Sequence, residues 1–297
     1  MTLRRYLQLD VFADRPGAGN PLAVMLDAQG IDDAAMQAFA AWTNLSETIF
    51  LLPPHVDTGV DARVDPDYRV RIFTPRQELP FAGHPSVGAA WAALDGGLTT
   101  ARAGQLVQQC AAGLLPVSIV DRGDGRVVSV RAPRARRRDP AAGTPALLDA
   151  ALAGLRRGQG APALWDNGPQ WWLVELADEA AVRAMTPDLP AITALTRHGE
   201  VGMAVFALPA DADQPLVVRA FCPADGIPED PVTGSANAAI AAALAQAGRL
   251  PGRAGAYIAS QGREMGRDGR VEVRVDGDGE VWIGGRVQAV IRGSVDW

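Results

Sequence analysis

Residues 70–80 read Val-Arg-Ile-Phe-Thr-Pro-Arg-Gln-Glu-Leu-Pro, and residues 218–228 read Val-Arg-Ala-Phe-Cys-Pro-Ala-Asp-Gly-Ile-Pro. Val70/Val218, Arg71/Arg219, Phe73/Phe221, Pro75/Pro223 and Pro80/Pro228 are identical at one offset, 219 − 71 = 148, and half of the 297-residue chain is 148.5. In each copy an apolar, β-branched run enters a turn, and an Ala-rich stretch that reads as a helix follows, 85–94 in the first and 235–247 in the second. Gly96 and Gly248 stand where C-terminal caps belong. The chain therefore reads as two copies of one unit.

Working outward, strand-like runs recur at 6–12, 22–26, 48–52, 69–74, 115–120, 127–131, 170–176, 201–208 and 217–221. The last quarter reads as a meander, 257–260, 270–275, 281–284 and 286–292, broken at Asp-Gly and Gly-Gly turns. A helix is expected after Asp32, which can cap its first turn, with Ile31 and Met36 placed to form a hydrophobic staple. Strands outnumber helices and mostly form hairpins, so the fold class is α+β. The domains are expected at 1–125 with a C-terminal strand 286–297, and at 126–285.

Composition excludes several chemistries. All 28 residues counted as Lys+Arg are Arg, so no lysine can form a Schiff base or a phosphate-loop contact. A net charge of −6 gives no footprint for nucleic acid. The basic run Arg134, Arg136, Arg137 and Arg138, between Pro133 and Pro140, reads as a solvated connector. No apolar run suits a membrane helix, and Gln8 and Asp10 interrupt any signal-peptide core. Cys110 and Cys222, far apart, are expected as reduced thiols of a cytoplasmic protein. His55 and His198 lack acidic or cysteine partners at metal-ligand spacing, so no metal is expected, and Pro21 breaks the one glycine pattern that could bind a dinucleotide cofactor.

Duplicated units commonly enclose a ligand cleft, to which each copy here would bring a turn feeding a helix N-terminus. The turns are Phe81-Ala82-Gly83-His84-Pro85-Ser86 and Glu229-Asp230-Pro231-Val232-Thr233-Gly234-Ser235. Free backbone N–H groups and the positive helix end suit a small anionic carboxylate, and small residues admit it closely. His84, Asp230 and Ser235 are candidate catalytic residues, with a helix cap or a core residue as the alternative for His84 and helix capping for the other two. Gly83, Pro85, Ser86, Thr233 and Gly234 are candidate substrate contacts in the same turns. Glu47, flanked by Leu45 and Ile49 at the mouth of an apolar strand, could act as a partly desolvated general acid/base, although spacing alone favours an exposed strand-end glutamate.

Together, Asp10-Val11-Phe12, Gly19-Asn20-Pro21-Leu22-Ala23-Val24, Asn44-Leu45-Ser46-Glu47-Thr48, Glu78-Leu79-Pro80-Phe81-Ala82-Gly83-His84-Pro85, Glu229-Asp230-Pro231-Val232-Thr233-Gly234-Ser235-Ala236 and the terminal Gly284-Gly285-Arg286-Val287-Gln288 resemble the phenazine-biosynthesis PhzF-like family, which shares the diaminopimelate-epimerase fold. The resemblance implies two similar domains, each a curved sheet around a central helix, with the active site between them. It implies a cofactor-independent isomerase of the trans-2,3-dihydro-3-hydroxyanthranilate isomerase type, acting as a homodimer on a small unsaturated carboxylic acid. Glu47 matches the acid/base carboxylate, His84, Asp230 and Ser235 match the other active-site polar residues, and Asn20 joins the substrate contacts. Related racemases carry a cysteine at each helix N-terminus; Ala82 and Asp230 stand in those turns here, which disfavours that chemistry. A one-carbon epimerase and a non-catalytic binding protein are the alternatives. The connector 53–67 departs from the family and leaves the substrate open.

Overall fold

The computed structural model describes residues 2–55, 65–123 and 125–297. The chain divides into two compact units, Met1–Arg131 with Gly284–Trp297, and Ala132–Ile283. The first runs past 125 because Gly125–Arg131 is one continuous strand, paired along its length with Gly113–Arg122.

The first unit contains β1 (Leu3–Val11), β2 (Asn20–Met25), α1 (Asp33–Thr43), β3 (Glu47–Leu52), β4 (Tyr68–Phe73), β5 (Glu78–Leu79), α2 (Gly83–Asp95), β6 (Gln105–Cys110), β7 (Gly113–Arg122) and β8 (Gly125–Arg131). The second contains β9 (Arg136–Arg138), α3 (Thr144–Ala151), β10 (Ala163–Asp166), β11 (Gln170–Glu175), α4 (Glu179–Arg183), α5 (Leu189–Leu195), β12 (Gly202–Ala207), β13 (Leu216–Cys222), β14 (Ile227–Asp230), α6 (Gly234–Gln246), β15 (Ala256–Gln261), β16 (Gly269–Val275) and the start of β17 (Val281–Asp296).

The pairings repeat. In the first unit β1 is antiparallel to β2, β2 parallel to β3, β3 antiparallel to β4, β4 antiparallel to β5 and parallel to β6, and β6 antiparallel to β7. The same directions recur in the second unit through β10, β11, β12, β13, β14, β15 and β16. α2 packs on β1, β2, β3, β4, β6 and β8, while α6 packs on β10, β11 and β16. Each helix is alanine-rich and buried on nearly every side, as a central helix must be. Small residues are needed there: a Cβ on Gly88 of α2 would lie 2.3 Å from Leu22. The opposite sheet faces carry separate cores, with Phe39 of α1 against Phe50 in the first unit and Trp172 and Phe221 beneath α3–α5 in the second. Asp32 caps α1 as expected, accepting from Ala35 N at 2.8 Å.

Four details differ from the sequence reading. The offset grows from 148 to 151 across the turn, because three extra residues lie between Phe221 and Glu229. Arg71 holds Glu78 through both carboxylate oxygens and stacks 5.1 Å over Phe73, and Arg219 does the same with Glu229 and Phe221. Since 229 − 78 = 151, Pro80 corresponds to Pro231 and the Pro80/Pro228 identity is coincidental. Second, Gly96 is the C-cap of α2 as expected but has φ −77°, and the left-handed residue is Gly97 (φ +69°), one place later. Gly97 donates to Leu94 O and Leu98 to Ala93 O, and Gly248 and Arg249 repeat this arrangement on Ala245 and Leu244. Third, Gly284-Gly285 makes no turn: β17 runs through it, and a Cβ on Gly284 would lie 2.1 Å from Ser129 Oγ, so glycine serves close strand approach. Fourth, Arg136–Arg138 form a strand on β10 rather than a connector, with Arg138 bound to Asp166 and Arg134 to Glu280. The connector 53–67 falls largely on 56–64, outside the described residues. At its edges, His55 bonds Gln109 and Asp67 bonds Val107.

The two Arg–Glu pairs differ in burial, which sets their worth. The Arg219 side chain is 6% exposed and also donates to the carbonyls of Val182 and Met185, whereas Arg71 is 21% exposed and Glu78 36%. Arg219→Met strands the Glu229 carboxylate in a dry site and is expected to cost about 3–5 kcal/mol. The more solvated Arg71→Met should cost about 1 kcal/mol. Urea denaturation midpoints of the two variants check the order.

Candidate functional site

In the first unit the site is built where β3 and α2 begin. Glu47 opens β3 opposite Leu22 of β2, and Asn20, fully buried, lies two residues earlier on β2. Asp10 braces the incoming loop by accepting the Gly19 N–H on both carboxylate oxygens at 3.1 Å. His84 is the second residue of α2, and its Nε2 lies 3.5 Å from Glu47 Oε2. The two side chains are 5% and 17% exposed, so this contact sits at low dielectric. Burial lowers the His84 pKa to about 3, leaving a neutral imidazole beside the carboxylate at physiological pH.

His84 is not a helix cap. The cap position belongs to Ala82, which has no side-chain hydrogen bond to offer, so the first-turn N–H groups at Gly83 and His84 receive none from it. Pro85 is the third helical residue, where its missing N–H costs nothing. Ser86 is fully buried and accepts from Gln108 Nε2 at 2.9 Å, and Tyr68 donates to the same glutamine's Oε1.

In the second unit a corresponding network surrounds the start of α6. Thr233 Oγ1 donates to Asp230 Oδ2 at 2.5 Å instead of capping the helix. Gln261 ties the turn together: its Nε2 donates to Asp230 O and Thr233 Oγ1, and its Oε1 accepts from Thr233 N and from Asn237 Nδ2. Gly234 is the first helical residue and Ser235 the second, the position that His84 holds on α2. Ser235 Oγ accepts from the Trp171 indole N–H at 3.1 Å, and Asn167 Nδ2 donates to Ser235 O at 2.9 Å. None of His84, Asp230 and Ser235 supplies the side-chain cap of its helix.

A family model described as "phenazine biosynthesis-like protein" matches residues 9–293. The chain belongs to that family. It is 36% identical, over 97% of this chain and 94% of the relative, to a trans-2,3-dihydro-3-hydroxyanthranilate isomerase of Pseudomonas aeruginosa. It is 30% identical, over 99% of both chains, to the protein named antisense-enhancing sequence 1 of Schizosaccharomyces pombe. Its fold is that of a PhzF-family phenazine biosynthesis protein of Bacillus anthracis, with a TM-score of 0.79 over the whole of both chains at 24% identity. As a family member the protein is an isomerase by class, on the α+β fold expected from the strand pattern.

The repeat then shows how the two helix starts diverged. β2 and β3 pair Leu22 with Glu47, and β11 and β12 pair Trp171 with Gly202. The second unit therefore has glycine where this PhzF-family chain has Glu47 in its first unit. A Cβ on Gly202 would lie 2.8 Å from the Trp171 ring and 2.3 Å from Phe221 O. The indole occupies the room and supplies a neutral donor to Ser235, where the first unit sets a carboxylate against His84.

Sequence reasoning named Glu47, His84, Asp230, Thr233 and Ser235 but missed Trp171, Gly202, Gln108 and Gln261. The glutamines were detectable: Leu106, Gln108 and Cys110 share one strand face, as do Tyr257, Ala259 and Gln261, so a polar residue falls on each apolar phase. Nothing in the sequence marks Trp171 over its neighbour Trp172, which points into the opposite core.

The lowered His84 pKa makes a signed prediction. The unfolded chain takes up a proton on this histidine near pH 6.5, the folded chain only near 3. Its contribution is thus complete above pH 6.5 and falls as pH drops through this window, by up to about 1.4 kcal/mol per unit. Denaturation from pH 6.5 to 5 should show that slope in the native protein and a flatter one in His84→Asn.

Proposed function

We propose that this protein is a cofactor-independent isomerase that moves a proton between carbons of a small unsaturated carboxylic acid. The observation that carries the reading is the Glu47 carboxylate set 3.5 Å from a buried, neutral His84 at the start of α2. Glu47 removes the proton from carbon and returns it to another carbon of the same molecule, so no redox partner is required. His84 Nε2 and the first-turn N–H groups of α2 stabilise the dienolate-like charge that develops between the two transfers. Asn20, Gly83, Pro85 and Ser86 are the candidate substrate contacts of the first unit beside Glu47, and Asp230, Thr233, Gly234 and Ser235, at the corresponding helix start of the second unit, complete the candidate set.

Two observations support this over the two-base epimerase. Gly202 stands at the repeat position of Glu47, and neither α2 nor α6 begins with cysteine. The identity to trans-2,3-dihydro-3-hydroxyanthranilate isomerase makes that acid the first substrate to test. The reading extends to a cytoplasmic protein, on its two free cysteines, and to a homodimer, as the family resemblance implies, with sedimentation velocity as the measure of assembly.

Incubation of the purified protein with this acid and related unsaturated acids in D2O, followed by NMR, tests the assignment. Deuterium should enter at a migrated position, and Glu47→Gln, which keeps the shape and removes the base, should slow this by about 10²–10⁴-fold. Undiminished exchange in that variant would remove Glu47 from its role. Exchange confined to one stereocentre with inversion would favour the epimerase.

A further inference from the structure

The second unit contains a cavity of about 340 Å³ that the proposed reaction does not use. It lies between the C-terminal half of α6 and the sheet. Trp165, Leu173 and Phe206, on β10, β11 and β12, line one side, and Ala243, Leu244 and Ala247 line the other. Leu244 is nine residues along α6 from Ser235, about 13 Å at 1.5 Å per residue. The cavity is thus separate from the turn at Asp230–Ser235.

Its polar groups are unequal. Glu175 is the one carboxylate in the lining and is fully engaged: it accepts from Arg249 Nη1 and Nη2 at 2.7 and 2.8 Å and from Gly160 N at 3.0 Å. Burial pushes the Glu175 carboxyl up, but Arg249 and the backbone donors outweigh it and hold it below its ordinary value. The loop around it is fitted closely, since a Cβ on Gly158 or Gly160 would lie within 2.7 Å of Glu175. This ion pair is therefore a rigid wall. Arg137, on the edge strand β9, also lines the cavity, and among the described residues its guanidinium has no hydrogen-bond or ion-pair partner. Two arginines against one carboxylate leave the lining with a charge of +1 over an aromatic and aliphatic floor.

We infer that this cavity is a second ligand site that takes a small aromatic monocarboxylate, its ring against Trp165 and Phe206 and its carboxylate on Arg137. The volume suits a single substituted ring. A planar guanidinium matches a carboxylate through two hydrogen bonds, and the floor removes the ring's apolar surface from water. A neutral ligand of the same shape would leave Arg137 without its counter-charge.

Titration of the full chain with 4-fluorobenzoate, followed by ¹⁹F NMR, tests this directly. Saturable binding is expected, with 4-fluorobenzamide at least tenfold weaker. Arg137→Gln, a change on an exposed strand that leaves the fold intact, should weaken 4-fluorobenzoate at least tenfold, and Ala243→Phe, which fills the cavity, should abolish the same binding event. Both variants should retain deuterium exchange on the isomerase substrate, so loss of this site and loss of the Glu47 assignment are separate results. Binding equal for acid and amide, or unchanged in both variants, overturns the inference. So does a dimer that Ala243→Phe dissociates, because the cavity would then receive a second copy of the chain.

Discussion

A helix enclosed by a sheet has only its ends available for chemistry, and this constraint organises both units. α2 and α6 are buried along most of their length, and their alanines and glycines are the residues that let strands approach so closely. Side chains in mid-helix are then pure packing. The first turn, where backbone N–H groups lack intrahelical partners, is where polar side chains can meet a ligand. That is why both candidate residues at the second helical position, His84 and Ser235, are polar and buried. It also explains why the turns before the helices are held so firmly. The Arg71–Glu78 and Arg219–Glu229 pairs brace each strand against its turn, and Gln108 and Gln261 bond to the residue two places further along each helix, Ser86 and Asn237.

Within this common frame the two units do different things at one position. Glu47 and Gly202 occupy the same place in the strand pairing, yet one offers a carboxylate and the other offers space filled by an indole. A duplicated frame that keeps its braces while exchanging side chains at the helix start can hold a reacting group in one copy and a neutral donor in the other. The Trp171–Ser235 hydrogen bond is the physical form of that exchange. The arginine strand has its own consequence: Arg136–Arg138 pair with β10, as β17 pairs with β1 in the first unit, and Arg137 borders the cavity beside α6.

Much of this was legible in the sequence because it depends on local periodicity. The repeat, the strand and helix alternation, the Asp32 cap and the polar residues of the two turns all follow from side-chain order along the chain. The errors have physical causes. Gly96 and Gly97 are equally able to take positive φ, and only the hydrogen bonds from Gly97 and Leu98 select the second. Gly284-Gly285 has the composition of a turn, but what sets its conformation is Ser129, more than a hundred residues earlier in the chain. Pro80 and Pro228 matched by chance across a turn whose length differs between the copies.

The sequence by itself determined the α+β class and the duplication, because spacing along a strand or helix dictates which face a residue occupies, while Glu47, His84, Asp230 and Ser235 became candidates through the motifs that resemble the family rather than through spacing. Only the tertiary structure decided that Glu47 meets His84, that desolvation keeps this histidine neutral, and that Trp171 rather than Trp172 reaches Ser235. Those outcomes depend on which strands lie beside which helix and how much water they exclude. Both are set by pairings between residues far apart in the chain, which local periodicity does not encode.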